Sequence, residues 1–253
     1  MASRHACCPF CGEEKSAKLF RVQENPDVTL ERCARCTAVY ADAVPSADLL
    51  DHYYARYYSS TERRVTCASP KKFARRIFRS LGGMRKDRIR ILDFGGGDGS
   101  IAYALAEMIL KETGAAVEIC IVDYCENQVR SCDDKISVSR FGELSGAQGK
   151  FDIVMASAVL EHLPFPGETI RSLLSRVAPG GFFYARHPYI VPMMLAARRF
   201  GIAIDFTFPG HLSDFGGEFW RKFIGLYGMK DFSICCSRPS PVESSFSDAP
   251  LRT

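Results

Sequence analysis

Two C-x-x-C pairs, Cys8-Pro9-Phe10-Cys11 and Cys33-Ala34-Arg35-Cys36, stand within the first 36 residues. Each tight turn can present two sulfurs, so four thiolates can converge tetrahedrally on one Zn2+. Gly12 suits the bend of the first knuckle. All four ligand positions are then filled by protein, which makes the zinc structural. It would supply stability that so short a segment cannot draw from its own core. His5 and Cys7 are substitute ligands of poorer spacing. The alternative is a metal-free set of thiols, since disulfides do not persist in a reducing compartment.

A second group is ILDFGGGDGS, residues 91–100, an apolar run that enters closely spaced glycines. Such a loop after a first strand holds a nucleotide-like cofactor, and its residue types separate the candidates. A triphosphate loop ends in Gly-Lys-Ser/Thr, and lysine is absent here. A dinucleotide fingerprint counted from Gly95 and Gly97 needs a glycine where Ser100 stands, and Gly99 comes one step early. Asp93 precedes the first glycine by two residues. A carboxylate there repels a pyrophosphate and suits a cation. Asp123 closes the next apolar run and can accept from both hydroxyls of a ribose; a solvated turn carboxylate is the alternative. Together these residues favour S-adenosylmethionine, which carries an ammonium and a sulfonium but no phosphate.

Histidines near this loop could move a proton at neutral pH. His162, preceded by Glu161, directly follows an apolar run, His187 follows another, and His211 lies in FPGHLSDFG. A hydrogen-bonded structural histidine is the plain alternative for each. His52 sits in a tyrosine-rich stretch with Tyr53, Tyr54, Tyr57 and Tyr58, whose spacing puts two pairs on one side of a helix. Packing is their first reading, and a lid over substrate the second.

The elements that must position these groups alternate. IRILDF predicts a first strand, followed by a helix over about 99–112. AVEICIVDY, KISVSRF and FDIVMASAVL predict strands two to four. A helix near 167–177, a strand at GGFFYARHP, an irregular stretch over 188–213, a helix near 214–227 and a strand at MKDFSICC complete the series. Strands separated by helices imply an α/β, Rossmann-like, doubly wound and mostly parallel sheet with helices on both faces. Ligands of such sheets bind beyond the carboxyl ends of the strands. The expected organisation is a small zinc-ribbon module over 1–45, a helical linker or lid over 46–88, and a cofactor-binding domain over 89–253. Residues 188–213 form a substrate roof in that arrangement.

Residues 89 to about 236 resemble a class I S-adenosylmethionine-dependent methyltransferase. LDFGGGDG matches the glycine loop of that family, IVDY its ribose-binding strand end, FDIVMASAVLEHLP its fourth strand and VAPGGFFYARHP the turn into its fifth. The resemblance implies that Asp93, Gly95, Gly96, Gly97 and Gly99 approach the methionine and sugar and that Asp123 holds the ribose. It also implies that Tyr124 packs on the adenine and that Ser157 joins the cofactor side. The adenine amino contact falls on Arg140, Phe141 or Glu143. The family commonly ends in a strand hairpin, which here is either short, near Val242 to Phe246, or missing.

The front cysteines and His211 also resemble zinc-containing sugar C-methyltransferases. Of their Tyr-His-Glu-His-like run, only the final histidine stands in Phe208-Pro209-Gly210-His211. O- or N-methylation of a sugar or another small biosynthetic intermediate therefore fits at least as well, with His211, His162 or His187 assisting loss of the acceptor's proton. A nucleotide-linked or phosphorylated sugar is one acceptor this implies. Two other readings are an RNA methyltransferase gripping with the zinc ribbon and the basic helix around Lys71 to Arg79, and a non-catalytic cofactor-binding protein.

Composition bounds these readings. The chain has 253 residues, 47% apolar and 25% charged. Residues 1–92 carry 18 Lys/Arg against 10 Asp/Glu and the rest 15 against 19, consistent with the overall +4. The basic excess centres on Lys71, Lys72, Arg75, Arg76 and Arg79, while Phe73, Ile77 and Leu81 recur at helical spacing. A solvated helix face explains this plainly, and attraction of a phosphorylated substrate is the alternative. Nucleic acid is not an expected partner. No signal-like or membrane-spanning run is present, so a cytoplasmic location is expected.

Overall fold

Apolar runs bounded by glycine, proline and charged residues set the elements of the computed structural model, which describes residues 3–58, 69–84, 86–124, 133–229 and 231–235. In chain order they are β1 (Ser3–Arg4), β2 (Ser16–Glu24), β3 (Asp27–Cys33), β4 (Val39–Ala41), β5 (Ala43–Val44), α1 (Ala47–Tyr58) and α2 (Pro70–Ser80). Then come β6 (Arg88–Phe94), α3 (Ser100–Thr113), β7 (Ala116–Val122), β8 (Ile136–Phe141), β9 (Phe151–Ser157) and α4 (Pro166–Ser175). The series closes with β10 (Val177–Arg186), α5 (Val191–Arg198), β11 (Ser213–Asp214) and α6 (Gly217–Leu226). The chain divides into two compact units, one of Glu62–Ser157, Ser172–Arg186 and Pro239–Thr253, the other of Met1–Thr61, Ala158–Arg171 and His187–Arg238.

In the first of these, the sheet unit, five parallel strands run in the order β10-β9-β6-β7-β8. A parallel sheet covered on both faces needs strands that are apolar on both faces. Ile89, Ile91 and Leu92 of β6, Val117, Ile119 and Ile121 of β7, and Ile153, Val154 and Met155 of β9 are accordingly buried. α3 contributes Ala102, Leu105, Ala106 and Ile109 to the core, and α2 with its C-cap residue adds Ala74, Ile77 and Leu81 to the same cluster. Each isoleucine or leucine so buried stabilises the fold by about 1.5–3 kcal/mol. Lys71, Lys72, Arg75 and Arg79 form the exposed face of α2. From β6 the crossover through α3 runs to β7, whereas from β9 the crossover runs the other way, to β10. Right-handed connections place the two on opposite faces and leave a switch point between β6 and β9.

In the ribbon unit, β2 and β3 form an antiparallel hairpin, β4 continues it, and β11 joins through Ser213↔Tyr40 and Asp214↔Val39. Val28, Leu30, Val39 and Ala41 form the apolar face of this sheet, covered by Val191 and Met194 of α5 and by Phe206. The 188–213 stretch, expected to be irregular, thus contains a helix. Pro192 occupies its first turn, where a missing N–H is harmless, and Met-Met-Leu-Ala-Ala-Arg are strong helix formers. Asp214 Oδ2 accepts from the Ile190 and Val191 amides at 2.5 and 3.2 Å, which anchors the start of the helix to β11.

The first knuckle is built into an aromatic core. Phe10 meets Phe215 and Phe219 edge-on, with ring centroids 5.0 and 4.9 Å apart. Gly167 closes on it from α4: its amide donates to the Pro9 carbonyl at 3.2 Å, and a Cβ there would lie 2.1 Å from the Phe10 carbonyl oxygen.

The strand expected at MKDFSICC does not form among the described residues: 231–235 have no strand partner and all but one are exposed. Its apolar residues bury no face, so nothing compensates for fixing it in extended form. The short strand expected near Val242 to Phe246 lies outside the described residues, as do the side chains of Tyr54, Tyr57 and Tyr58. Among the described residues no helix is long and apolar enough to cross a membrane.

Candidate functional site

β6 carries Asp93 between Ile121 of β7 and Met155 of β9, and this register buries the carboxylate to 2% exposure. Burial, then the charges of Asp123 and Asp98, push its pKa up to about 7 against a smaller opposing pull from Arg140. Its Oδ2 meets no hydrogen-bond donor among the described residues. A Cβ at Gly96 would lie 2.6 Å from that oxygen, so only glycine leaves the carboxylate its place. Gly95, Gly97 and Gly99 have φ of +67°, +56° and +83°, a region other residues enter only with strain.

The loop is pinned on both sides of one residue. The Gly97 amide donates to Asp123 Oδ2 at 2.7 Å, and Arg140 donates to the Gly97 carbonyl at 2.7 Å. Asp123 is itself fixed by its amide, which donates to the Phe141 carbonyl at 3.0 Å. Sequence reasoning placed Arg140 only among adenine contacts and missed this clamp. The available signal was its place at the end of strand three, paired with Ile121 at the level of the loop. Tyr124 is 90% exposed, and Phe141 is half-buried with its ring against Gly146. Ser157 accepts from Arg186 at 2.9 Å, and that guanidinium lies 4.3 Å over the Phe73 ring. The structure therefore gathers Asp93, Gly95, Gly96, Gly97, Gly99 and Asp123 at one place, where the glycine loop meets the ends of β6 and β7. Its donor set is carboxylates and open backbone, which fits a cationic nucleoside and not a polyphosphate.

The histidines separate into two kinds. His187 directs Nδ1 to the Pro188 carbonyl at 3.1 Å, receives the Trp220 indole N–H on Nε2 at 3.2 Å, and stacks on Phe215 at 3.9 Å. Burial lowers its pKa to about 4, and both nitrogens are engaged. His162 and His211, by contrast, lie together, with ring centroids 5.0 Å apart. His162 donates Nδ1–H to the Gly210 carbonyl, which leaves a lone pair on Nε2, 3.8 Å from Glu161 Oε1. Burial depresses the pKa of His162, and burial followed by the neighbouring His162 brings His211 down to about 4. Both rings are neutral at physiological pH. The Tyr53 hydroxyl packs on Gly210, where a Cβ would lie 2.3 Å from it, so α1 covers the loop that holds this pair.

The cysteines converge as their spacing predicts. Cys8 and Cys36 sulfurs are 3.6 Å apart, as are those of Cys11 and Cys33. Zinc–sulfur bonds of about 2.3 Å imply tetrahedral sulfur–sulfur edges of about 3.8 Å, so the set fits Zn2+ in spacing and in donor type. The Arg35 and Cys36 amides donate to the Cys33 sulfur at 3.3 and 3.4 Å, which fixes its place in the cluster. Burial pushes Cys11 up to about 12, while hydrogen bonding between the two brings Cys8 down to about 6 and pushes Cys36 up.

Known proteins are similar to parts of this chain. A family described as a methyltransferase domain matches residues 62–201, more than half of the chain. The ubiquinone biosynthesis O-methyltransferase of Nitrosococcus oceani is 30% identical over 97 residues, covering 36% of this chain and 40% of that protein. The protein of the same name from Alkalilimnicola ehrlichii is 29% identical over 110 residues, covering 42% and 43%. The chain thus spans about two-fifths of the length of the curated relatives it matches. Among solved structures, the S-adenosylhomocysteine-bound form of CalO1, a methyltransferase in calicheamicin biosynthesis, overlaps with a TM-score of 0.45 at 17% identity, over 74% of this chain and 58% of that one. The family model spans more than half of the chain, and the chain therefore belongs to the methyltransferase domain family, in its class I, S-adenosylmethionine-dependent form.

Proposed function

We propose that this chain methylates a hydroxyl oxygen of a small biosynthetic intermediate. The observation that carries the reading is Asp93, a buried carboxylate with an open oxygen at the head of the glycine loop. The curated relatives are named as O-methyltransferases, which supports oxygen as the acceptor atom. When bound, S-adenosylmethionine supplies a methyl group on a sulfonium, so displacement needs chiefly alignment and an acceptor able to lose its proton. Asp93 holds the methionine ammonium, and Gly95, Gly96, Gly97 and Gly99 let the backbone approach. Asp123, already oriented by the Gly97 amide, presents its carboxylate to the ribose hydroxyls. Tyr124 and Phe141 flank the adenine, with Ser157 on the same strand edge.

Glu161, His162 and His211 assist loss of the acceptor's proton. Both rings are neutral, and the Gly210 carbonyl fixes the tautomer of His162. Cys8, Cys11, Cys33 and Cys36 hold a structural Zn2+, and the protein works in a reducing, cytoplasmic setting where those thiols survive. The acceptor is a phenol or a sugar, including nucleotide-linked and phosphorylated sugars.

The test is methyl transfer from labelled S-adenosylmethionine by the full chain, against panels of phenols, free and nucleotide-linked sugars, and RNA. Transfer to a hydroxyl of one small-molecule class is the expected result. Transfer to RNA alone, or no cofactor binding by calorimetry, overturns the reading.

A further inference from the structure

We infer that Glu161, His162 and His211 form a second metal site, selective for a divalent first-row transition-metal ion and distinct from the cysteine cluster. One ligand atom from each of the three lies within 4.8 Å of the other two. Metal–nitrogen and metal–oxygen bonds of about 2.0–2.2 Å imply tetrahedral ligand edges of about 3.3–3.6 Å. The 3.8 Å between His162 Nε2 and Glu161 Oε1 is close to that edge and too long for a hydrogen bond. Two lone-pair donors thus face one another across a gap that suits a cation.

The surrounding backbone supports the assignment. A metal-binding histidine commonly donates its other ring N–H to a carbonyl, which fixes the tautomer and aims the lone pair. His162 does this toward the Gly210 carbonyl. The loop that brings His211 is held by its amide on the Thr207 carbonyl at 3.0 Å and by the Leu212 amide on the Glu161 carbonyl at 2.8 Å. The three donors are therefore set by the fold. Two imidazoles and one carboxylate select zinc, cobalt, manganese or iron(II) over magnesium and calcium, which prefer all-oxygen sites. Three protein ligands leave at least one position for an exchangeable oxygen, water or hydroxyl. On the methyl-transfer reading above, on which this consequence alone rests, the ion would lower the pKa of a bound hydroxyl so that its proton passes to solvent water, and the cluster would assist by charge instead of taking the proton on a ring nitrogen.

Cobalt(II) titration of the metal-stripped, reduced full chain tests the site. The cysteine cluster gives a thiolate-to-cobalt charge-transfer band, whereas a nitrogen and oxygen site gives only weak visible bands. The wild type is expected to bind about two equivalents, one of each kind. His211→Ala and His162→Ala should lose only the second, and Glu161→Gln should weaken it about 10–100-fold. His211→Asn serves if the alanine variant does not fold, with the retained thiolate band reporting an intact ribbon. A wild type that takes up only the thiolate-bound ion, or a folded His211 variant that keeps both, overturns the inference. Cofactor binding and methyl transfer are measured on the same samples. An ion bound without any transfer sinks the functional reading alone; transfer without the second ion sinks this one alone.

Discussion

The Leu212 amide donates to the Glu161 carbonyl at 2.8 Å, while the Leu212 carbonyl accepts from the Ala41 amide at 2.9 Å. One residue therefore ties the turn carrying Glu161 and His162 to β4, the strand that follows the second cysteine pair. His211 is its chain neighbour, and Ser213 and Asp214 continue the pairing with β4. The cysteine ribbon and the histidine cluster are parts of one hydrogen-bonded body within the ribbon unit.

Loss of metal from the cysteines should therefore loosen the histidine loop. A Cys33→Ser, Cys36→Ser double variant is expected to lose its zinc and to melt at a lower temperature. Its Leu212 and Ala41 amides should exchange hydrogen faster, while amides of β6, β7 and β9 stay protected. Unchanged exchange at Leu212 in zinc-free protein would show that the ribbon does not hold the cluster.

Asp93 links cofactor affinity to pH. Its folded pKa of about 7 lies above the unfolded value of about 3.9, so the protonated form is favoured by folding. Its contribution to stability is therefore complete below about pH 4 and is lost as pH rises through about 7. A bound ammonium reverses the preference and draws the proton off. Affinity for S-adenosylmethionine should fall as pH drops below about 7, with proton release on binding near pH 6. Calorimetry in buffers of different ionisation enthalpy measures that release. Asp93→Asn should bind the cofactor at least about tenfold more weakly, yet make the ligand-free chain more stable above pH 7 by about 1–2 kcal/mol. A cofactor affinity flat from pH 5 to 8 would remove Asp93 from the ammonium site.

Glycines in and out of the loop should behave differently. Gly96→Ala puts a Cβ 2.6 Å from the Asp93 carboxylate, and Gly99→Ala puts one 2.3 Å from Ile121 at a φ of +83°. Gly114, which ends α3 at φ +75°, has open space around its missing Cβ. Gly114→Ala should cost only the left-handed strain, about 1 kcal/mol, and leave cofactor affinity intact. Gly96→Ala should impair cofactor binding far more than it lowers the melting temperature, because the group it displaces is a ligand and not core. Equal losses of affinity in Gly96→Ala and Gly114→Ala would argue against a site at the loop.

Much of this was legible because it is local or periodic. The continuous apolar runs of β6, β7 and β9 reflect burial on both faces, and the C-x-x-C spacing encodes its own geometry. Asp93 stood out because a carboxylate two residues before a glycine loop repels a pyrophosphate and suits a cation, and the fold buries it at that loop. What escaped depends on distant partners. α5 was hidden by Pro192 and the aromatics around it, and it owes its stability to Val28, Leu30 and Asp214 rather than to its own pattern. The two-residue β11 is too short for any periodicity. His187 resembled His162 in sequence, each following a strand, and only the Trp220 indole separates them in structure.

Asp214 offers the sharpest test of that long-range anchoring. It is 1% exposed, accepts from the first amides of α5, and has its pKa raised to about 6 by burial against the opposing pull of those two bonds. Folding thus favours its protonated form: the stability it contributes is greatest below about pH 4 and declines as pH rises to about 6. Asp214→Asn keeps an oxygen for the amides and removes the charge. Relative to wild type it should gain stability as pH rises from 4 to 7, since only the wild type carries the buried carboxylate. Asp214→Ala leaves the Ile190 and Val191 amides without an acceptor and should cost about 1–3 kcal/mol at every pH. Urea unfolding of the three proteins at pH 4.5 and 7 distinguishes these effects. If the wild type and the asparagine variant keep the same stability difference at both values, the carboxylate is ionised throughout and α5 is capped by a charged Asp214.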